Sequence, residues 1–382
     1  MTELSPGSVS LYSLASWTNG LAFRSIEFSD VGRPIIKISE VKNGLSGQTK
    51  FTEAEYDPKY RIRSGDMIFC WSGQPETSIG TYYWRGPDGW LNQHLFRVQP
   101  RSEDVVDAFF YYLLLDLNPR FVELARNKQT TGLGHVTKRD LQDITLNLPP
   151  LEEQRRIAGV LGALDDLADT EMRISADCGQ LWRAVVSRNM DEQGSAPAPL
   201  SALASFVNGR NFTKGATGQG RPIIRTPEVR GGPTASTVRT DVDADADRVA
   251  RFGDVLFVWS GSLCCARWAF EEALVNQHVF KASPLDATPD WLVMFALERQ
   301  MPWFLSLAQD KATTMGHIQR RHLDESVELP VSAELSQLDA VVRPFWDQEL
   351  ESRAAARSAM RLRDELLPLL MSGRVRVGEV AT

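Results

Sequence analysis

Gly65-Asp66-Met67-Ile68-Phe69-Cys70-Trp71-Ser72-Gly73 recurs as Gly253-Asp254-Val255-Leu256-Phe257-Val258-Trp259-Ser260-Gly261. Further matches flank it in the same order. Leu14-Ala15-Ser16-Trp17-Thr18-Asn19-Gly20 returns as Leu203-Ala204-Ser205-Phe206-Val207-Asn208-Gly209, and Arg33-Pro34-Ile35-Ile36 as Arg221-Pro222-Ile223-Ile224. Asn92-Gln93-His94-Leu95-Phe96 returns as Asn276-Gln277-His278-Val279-Phe280. Thr130-Thr131 with Gly134-His135 matches Thr313-Thr314 with Gly316-His317, and Leu148-Pro149 matches Leu329-Pro330. The offset falls from 189 to 181, so only small loop insertions and deletions separate the copies. A period this long is no solenoid repeat. It marks a duplicated domain with its connector.

Both copies follow one grammar. Short β-like runs come first, Pro34–Ile38 and Pro222–Arg225. Gly-Asp then turns the chain into a buried strand, Met67–Trp71 or Val255–Trp259. A second strand carries Asn-Gln-His, and a helical stretch follows, Val105–Asn118 or Trp291–Gln300. Leu-Pro closes the unit before a long helix. In the first helix Glu152 and Glu153 occupy the opening turn, where the helix dipole favours them. Ile157, Val160, Leu164, Leu167, Glu171, Ile174, Cys178, Leu181 and Val185 alternate at steps of three and four, a heptad seam with one polar position, Glu171. Leu338, Val341, Phe345, Leu362 and Leu366 repeat that pattern after Pro330. Pro344 is expected to kink the second helix or delay its start, and Ala354–Ala356 makes its middle thin.

Two one-sided seams in one chain predict helices that pack on each other antiparallel, with a globular copy at either end; the alternative is that each helix packs on its own domain. The expected fold class is α+β: two similar mixed α/β domains separated by two long antiparallel coiled-coil helices, related by a pseudo-twofold repeat. The expected boundaries are a domain over 1–150, a helix over 151–190, a Pro/Gly/Ser-rich linker over 191–199, a domain over 200–330, a helix over 331–373 and a tail over 374–382. The seam from Ile157 to Val185 is ~42 Å at 1.5 Å per residue, on the order of one duplex turn, ~34–36 Å.

The 382 residues suffice for two to three domains. No apolar run reaches membrane-spanning length, and Met1–Gly7 lacks the pattern of a secretory signal. Cys70, Cys178, Cys264 and Cys265 form no CxxC pair or disulfide framework, which points to a reducing cytoplasm. Net charge is −7. Residues 1–150 carry 16 basic and 17 acidic side chains, and residues 194–330 carry 14 and 15. Both globular copies are therefore nearly neutral. The first helix is acidic, with 5 basic and 9 acidic side chains over 151–193. Any nucleic-acid contact must use local basic patches, with a partner supplying much of the phosphate grip.

No engine for catalysis stands out. There is no Gly-rich nucleotide loop ending in Gly-Lys-Ser/Thr. Asn147-Leu148-Pro149-Pro150 has the wrong order for an amino-methyltransferase motif, and no Gly-rich cofactor strand accompanies it. Asp241, Asp243, Asp245 and Asp247 alternate like a calcium loop, but Arg248 and Asp254 stand where that loop needs Gly and Glu; a solvated acidic turn is the expectation. His94 and His278, like His135 and His317, are repeat partners without a second metal ligand at helical spacing, and read as structural or DNA-facing donors. No metal site is expected.

The chain resembles the specificity subunits of Type I restriction–modification systems. The carrying residues are Leu148-Pro149-Pro150-Leu151-Glu152-Glu153-Gln154-Arg155-Arg156-Ile157 and the closing Leu362-Arg363-Asp364-Glu365-Leu366-Leu367-Pro368-Leu369-Leu370-Met371-Ser372-Gly373. The resemblance covers the whole chain. The second helix departs from it, opening Leu329-Pro330-Val331-Ser332-Ala333-Glu334-Leu335 without the Pro-Pro and Glu-Gln pairs. The resemblance implies a non-catalytic DNA-binding subunit in which each domain reads half of a bipartite target. The helices would set the spacer and dock two methyltransferase subunits. S-adenosylmethionine, ATP and Mg would belong to partner subunits, which extend to restriction (translocase) subunits.

Shared residues are then scaffold and divergent ones readers. Direct readout favours Arg, Lys, Asn and Gln, and phosphate contacts favour Lys, Arg, Ser and Thr. The candidates are Arg24 against Arg210, Asn211 and Lys214 after Asn-Gly, then Lys37, Lys42 and Lys50 against Arg225 and Arg230. After Trp-Ser-Gly come Gln74 and Thr77 against Ser262 and Arg267. Last is a basic cluster read as phosphate positioning: Lys128, Thr130, Thr131, His135, Lys138 and Arg139 against Lys311, Thr313, Thr314, His317, Arg320 and Arg321. Any single one of these could instead be ordinary solvated surface, and Trp71 and Trp259 read as core rather than stacking platforms. Two other readings stand beside this one: a recognition subunit of another DNA-modifying defence complex, and a duplicated adaptor that binds only proteins. A stand-alone enzyme fails on its missing motifs.

Overall fold

The two Gly-Asp dipeptides make the same turn. Gly65 has φ +94° and Gly253 φ +97°, a left-handed conformation open to glycine because it lacks Cβ. The next side chain closes the turn: Arg63 N–H donates to Asp66 Oδ2 and Arg251 N–H to Asp254 Oδ2, both at 2.7 Å. The computed structural model describes residues 8–24, 27–101, 103–129, 132–310 and 316–378. It divides into two compact units, residues 1–166 with 361–382 and residues 167–360.

In the first unit the strands are β1 (Val9–Ser10), β2 (Ala15–Asn19), β3 (Arg33–Ile36), β4 (Phe51–Thr52), β5 (Arg61–Ile62), β6 (Met67–Cys70), β7 (Ser72–Gly73), β8 (Gly80–Tyr83), β9 (Gly89–Leu91), β10 (Leu95–Pro100), β11 (Gly134–His135) and β12 (Thr145–Leu146). Its short helices are α1 (Ile38–Asn43), α2 (Pro75–Ser78), α3 (Asp107–Asp116), α4 (Asn118–Asn127) and α5 (Lys138–Asp143). One sheet runs β2-β10-β6-β8 and is antiparallel throughout. The other runs β4-β3-β9-β5, with β3 and β9 parallel in the register Ile35↔Trp90. Phe69, Phe109, Phe110 and Phe121 fill the main core between the first sheet and the helices.

The second unit repeats both four-stranded sheets, with an isolated bridge, Ser260↔His317, where the first has β7 and β11. Its strands are β13 (Ser195–Pro199), β14 (Ala204–Asn208), β15 (Arg221–Ile224), β16 (Arg239–Thr240), β17 (Val249–Ala250), β18 (Val255–Val258), β19 (Cys264–Arg267), β20 (Ala273–Val275), β21 (Val279–Pro284) and β22 (Ser326–Pro330). The sheets run β14-β21-β18-β19 and β16-β15-β20-β17, again with one parallel pair, Ile223↔Leu274. The sequence duplication is thus a duplication of fold.

Two expectations change here. The segment read as linker, 191–199, holds a strand, since β13 pairs antiparallel with β22 from Ser195↔Pro330 to Pro199↔Ser326. It matches β1 with β12 in the first copy. Pro197 and Pro199 lie two apart, so their missing N–H groups fall on one edge, which a two-stranded pair tolerates. The helical stretch expected over Trp291–Gln300 is longer. After α7 (Leu200–Leu203) and α8 (Thr226–Gly231), α9 spans Asp290–Asp310 through Pro302. The first copy breaks at Leu117 and restarts as α4, with Pro119 in its first turn, where a proline costs no hydrogen bond.

The long helices are α6 (Leu151–Gln193) and α10 (Leu335–Met371). Both unit boundaries fall within them. In the second unit they pack on each other: Trp182 meets Trp346 edge to face at 5.2 Å, Ser175 Oγ donates to the Glu349 carbonyl at 2.7 Å, and Ala168 lies against Ala356 and Ala359. In the first unit Arg363 Nη1 donates to Asp165 Oδ1 at 2.6 Å, and Ile157 and Leu161 share a core with Leu367 and Leu370. Positions rise along α6 as they fall along α10, so the pair is antiparallel. Pro344 lies inside α10 on its exposed side, where water can satisfy the carbonyl one turn back, and the helix continues past it.

The seam differs from the expected one by a single residue. Leu167, Leu181, Val341 and Leu362 are exposed, at 47%, 48%, 52% and 45%. Their neighbours Ala168, Trp182 and Val342 are buried, as are Leu161, Val186 and Trp346. Ile157 and Leu338 are buried as expected, while Val160, Leu164, Ile174, Val185, Phe345 and Leu366 are half-buried. Pairs such as Leu181-Trp182 and Val341-Val342 place apolar residues on adjoining stripes, so periodicity alone leaves two registers. The register that buries both indoles removes more apolar area from water.

Candidate nucleic-acid interface

Four repeated segments meet at one tryptophan in each copy. Trp71 Nε1–H donates to Asn19 Oδ1 at 3.0 Å, and Trp259 Nε1–H to Asn208 Oδ1 at 2.9 Å. The Trp71 N–H donates to the His94 carbonyl and its carbonyl accepts from Val136 N–H. Trp259 does the same with His278 and Ile318. The histidine ring lies 5.9 Å from Trp71 in one copy and 5.7 Å from Trp259 in the other. Ser72 pairs with His135 through β7 and β11, and Ser260 bridges to His317. Glycine follows each asparagine because backbone passes too close for a side chain. A Cβ at Gly20 would lie 2.3 Å from the Leu91 carbonyl oxygen, and one at Gly209 2.0 Å from that of Val275. The repeated motifs thus form a rigid frame, and the half-buried Trp71 and Trp259 belong to it.

Loops leave this frame with divergent residues. Arg24, Lys42, Lys50, Gln74 and Thr77 are exposed in the first copy, and Arg210, Asn211, Lys214, Arg230, Ser262, Arg320 and Arg321 in the second. Among the described residues Lys50, Lys214, Arg320 and Arg321 make no ion pair. Lys42 and Arg230 occupy matching positions on α1 and α8, and each ties down the loop after Trp-Ser-Gly. The Lys42 ammonium donates to the Thr77 carbonyl, and Arg230 Nη2 to the Ser262 carbonyl at 3.3 Å. Arg210 lies 3.8 Å from Asp245. Lys138 stands over the Tyr12 ring and Lys37 over Phe28, while Arg139 pairs with Asp143 on its own helix. Thr130, Thr131, Lys311, Thr313 and Thr314 lie outside the described residues.

Three candidates have structural duties instead. Arg267 is buried at 8% exposure, its guanidinium 3.6 Å from the Trp346 ring centroid and donating to the Trp346 carbonyl. Burial pushes its pKa down to about 10. Strand β19 carries it inward, which the alternation of a short Cys-Cys-Ala-Arg run did not reveal. Lys128 gives its ammonium to buried Asp140 at 2.6 Å. Arg225 pairs with buried Glu228 at 2.8 Å.

Glu228 and its partner Glu40 are structural residues the sequence reading missed. Each caps a short helix, accepting the N–H of Arg225 at 3.0 Å or Lys37 at 3.1 Å, and each accepts a threonine hydroxyl, Thr237 or Thr49, at 3.2 Å. Aligning Lys37-x-x-Glu40 with Arg225-x-x-Glu228 would have found them. The next pair diverges. Asp140 Oδ2 accepts from Thr137 N–H at 2.7 Å, and at the matching position His322 Nδ1 accepts from Gln319 N–H at 3.1 Å. Burial alone would raise the Asp140 carboxyl, but Lys128 and Thr137 outweigh it and hold it below the usual range. No group of three metal-ligating side chains occurs among the described residues, and no described helix is long and apolar enough to cross a membrane.

Comparison with known proteins agrees with the duplicated fold. Residues 8–177 match the family model described as the Type I restriction modification DNA specificity domain. The chain is 31% identical over 160 residues, 41% of its length, to the Type I restriction enzyme EcoBI specificity subunit of Escherichia coli. It is 27% identical over 138 residues, 36% of its length, to the MjaVIII specificity subunit of Methanocaldococcus jannaschii. These matches span 31% and 30% of the relatives' own lengths. In structure it is similar to the S subunit of a Type I restriction–modification system from M. genitalium, with a TM-score of 0.58, 95% of each chain covered and 14% identity. The resemblance read from the sequence therefore holds in sequence over the first copy and in fold over nearly the whole chain.

Proposed function

We propose, from the match of residues 8–177 to the Type I restriction modification DNA specificity domain, that the chain is the specificity subunit of such a complex. Each globular copy reads one half of a bipartite DNA target, and α6 with α10 sets the unspecified spacer. The observation that carries this reading is the duplication itself: one frame of two sheets, with the same strand orders and the same single parallel pair, built twice in a chain with an antiparallel helix pair. Frame residues agree between copies, while the loops around Trp71 and Trp259 differ, as two readers of unlike half-sites require.

The helices also dock two methyltransferase subunits. Leu181 and Leu362 occupy matching positions on α6 and α10, one in each unit, and both stay exposed. Exposed apolar side chains at matching positions suit two copies of one partner. S-adenosylmethionine, ATP and Mg act on partner subunits, restriction subunits among them, and this chain contributes binding and no bond-making step. The complex works in the cytoplasm. Methylome sequencing of the host with and without this chain tests the reading. Loss of methylation at one two-part motif is expected, and unchanged methylation rejects it.

A further inference from the structure

The second unit has an open recess of about 500 Å³ beside its tryptophan frame. Thr226 and Pro227 at the start of α8 form one wall, with Arg230 from the same helix. Ser260, Gly261 and Ser262 from the loop after β18 form another, and His278 completes it. None of these lining residues is acidic. The Gln277 amide nitrogen lies 3.2 Å from His278 Nε2. His278 Nδ1 is buried and has no hydrogen-bond partner, so His278 serves the recess as a wall. Arg230 spends one N–H on the Ser262 carbonyl and keeps the rest of its planar fork exposed.

The first copy is built differently around the matching glycine. There a Cβ on Gly73 would come 2.5 Å from Ser78 Cβ and 3.7 Å from Ile38 Cδ1. Helix α2, which carries Ser78, has no counterpart after Gly261. Lys42 replaces Arg230 and anchors the loop as a point charge. The frame is common to both copies, and the walls that follow Trp-Ser-Gly differ between them.

A cationic fork, without any carboxylate beside it, fits a ligand edge that offers adjacent acceptors. In the major groove guanine alone offers two, N7 and O6. We propose that this recess receives the major-groove edge of one guanine in the half-site read by the second copy, with the Arg230 fork as its donor. The inference rests on the specificity-subunit reading and deepens it.

The test compares the complete complex carrying wild-type chain, Arg230→Lys or Arg230→Ala, by methylome sequencing and by competition binding to duplexes altered one base pair at a time. Arg230→Lys keeps the cation and the loop anchor, as Lys42 does in the first copy, but loses the fork. Discrimination at one G·C position of one half-site should fall roughly 10- to 100-fold, with the other half-site unchanged. Arg230→Ala should show the same loss. An unaltered motif and unaltered discrimination would overturn the inference. So would uniform weakening on every sequence with the salt slope reduced by about 1, which marks a phosphate contact. Loss of methylation with base discrimination intact in the binding assay would overturn it too. A wild-type complex with no two-part motif would instead reject the specificity-subunit reading itself.

Discussion

The antiparallel helices meet the two copies with unlike chemistry at matching positions. In the second unit the contact is Trp182 on Trp346, two indoles with almost no exposure. Their repeat partners in the first unit are Arg363 and Asp165, an ion pair at 2.6 Å. Each contact is braced by further hydrogen bonds. Trp346 Nε1–H donates to Asp290 Oδ2 at 2.8 Å and Trp182 Nε1–H to Glu349 Oε2 at 2.8 Å. Tyr112 Oη–H donates to Asp165 Oδ2 at 2.7 Å. The difference shows that duplication preserved where the helices touch while the means of touching diverged. It also gives the pair a direction, because an indole cannot replace a guanidinium in the opposite pocket without leaving a carboxylate unpaired.

The largest effect should come from the aromatic end. Trp346→Ala opens a cavity, strips Arg267 of its ring and leaves Asp290 short of a donor. A loss of about 3–5 kcal/mol is expected, read as a fall in the denaturant midpoint of the second unit by tryptophan fluorescence. A loss below 1 kcal/mol would mean the indole pair does not hold the helices together. At the ionic end Arg363→Leu should cost about 1–3 kcal/mol, since Asp165 stays partly buried and keeps only the Tyr112 hydroxyl. Hydrogen exchange should report that loss in the first unit and not in the second.

Alkaline pH should also separate the ends. Burial, reinforced by the hydrogen bond to Asp165, pushes the Tyr112 phenol well above its usual range, and burial pushes Tyr111 up to about 12. A raised folded pKa stabilises fully below the unfolded value near 10 and is lost as pH rises through the folded one. Thermal midpoints of the first unit should therefore fall as pH is raised above about 10, and a Tyr111→Phe, Tyr112→Phe double variant should flatten that limb. The smallest change in stability, within about ±0.5 kcal/mol, is expected for Leu181→Asp and Leu362→Asp. Each should nonetheless cost the complex one methyltransferase copy, read by native mass spectrometry. Full occupancy in both variants would remove the docking proposal.

The duplication, the buried strands after Gly-Asp and the existence of two long helices were legible because the motifs recur in order and because glycine at 20, 65, 209 and 253 answers to backbone geometry; the strand expected to carry Asn-Gln-His was not borne out, since Gln93-His94 and Gln277-His278 turn the chain between β9 and β10 and between β20 and β21. The helix register was not legible. Leu181-Trp182 and Val341-Val342 offer apolar residues on both stripes, and only the packed cores decide between them. The strand at Ser195–Pro199 was hidden because proline and small residues read as a linker until a partner strand is known. Among the candidate contacts, composition could not separate Arg230 from Arg267. Both are arginines that follow a repeated motif, but one ends exposed on α8 at a recess and the other on β19 beneath Trp346. Charge pairing across 12 residues, as between Lys128 and Asp140, is likewise a tertiary fact.

The central claim is that the helix pair converts protein length into distance along DNA. Inserting seven residues into both helices, between Ala168 and Ser175 and between Glu349 and Ala356, keeps the heptad phase and adds about 10 Å at 1.5 Å per residue. Methylome sequencing of a host carrying this variant should show both half-sites unchanged and the spacer longer by about three base pairs, given 3.4 Å per base-pair step. An unchanged spacer, with the lengthened chain folded and methylating, would contradict the account.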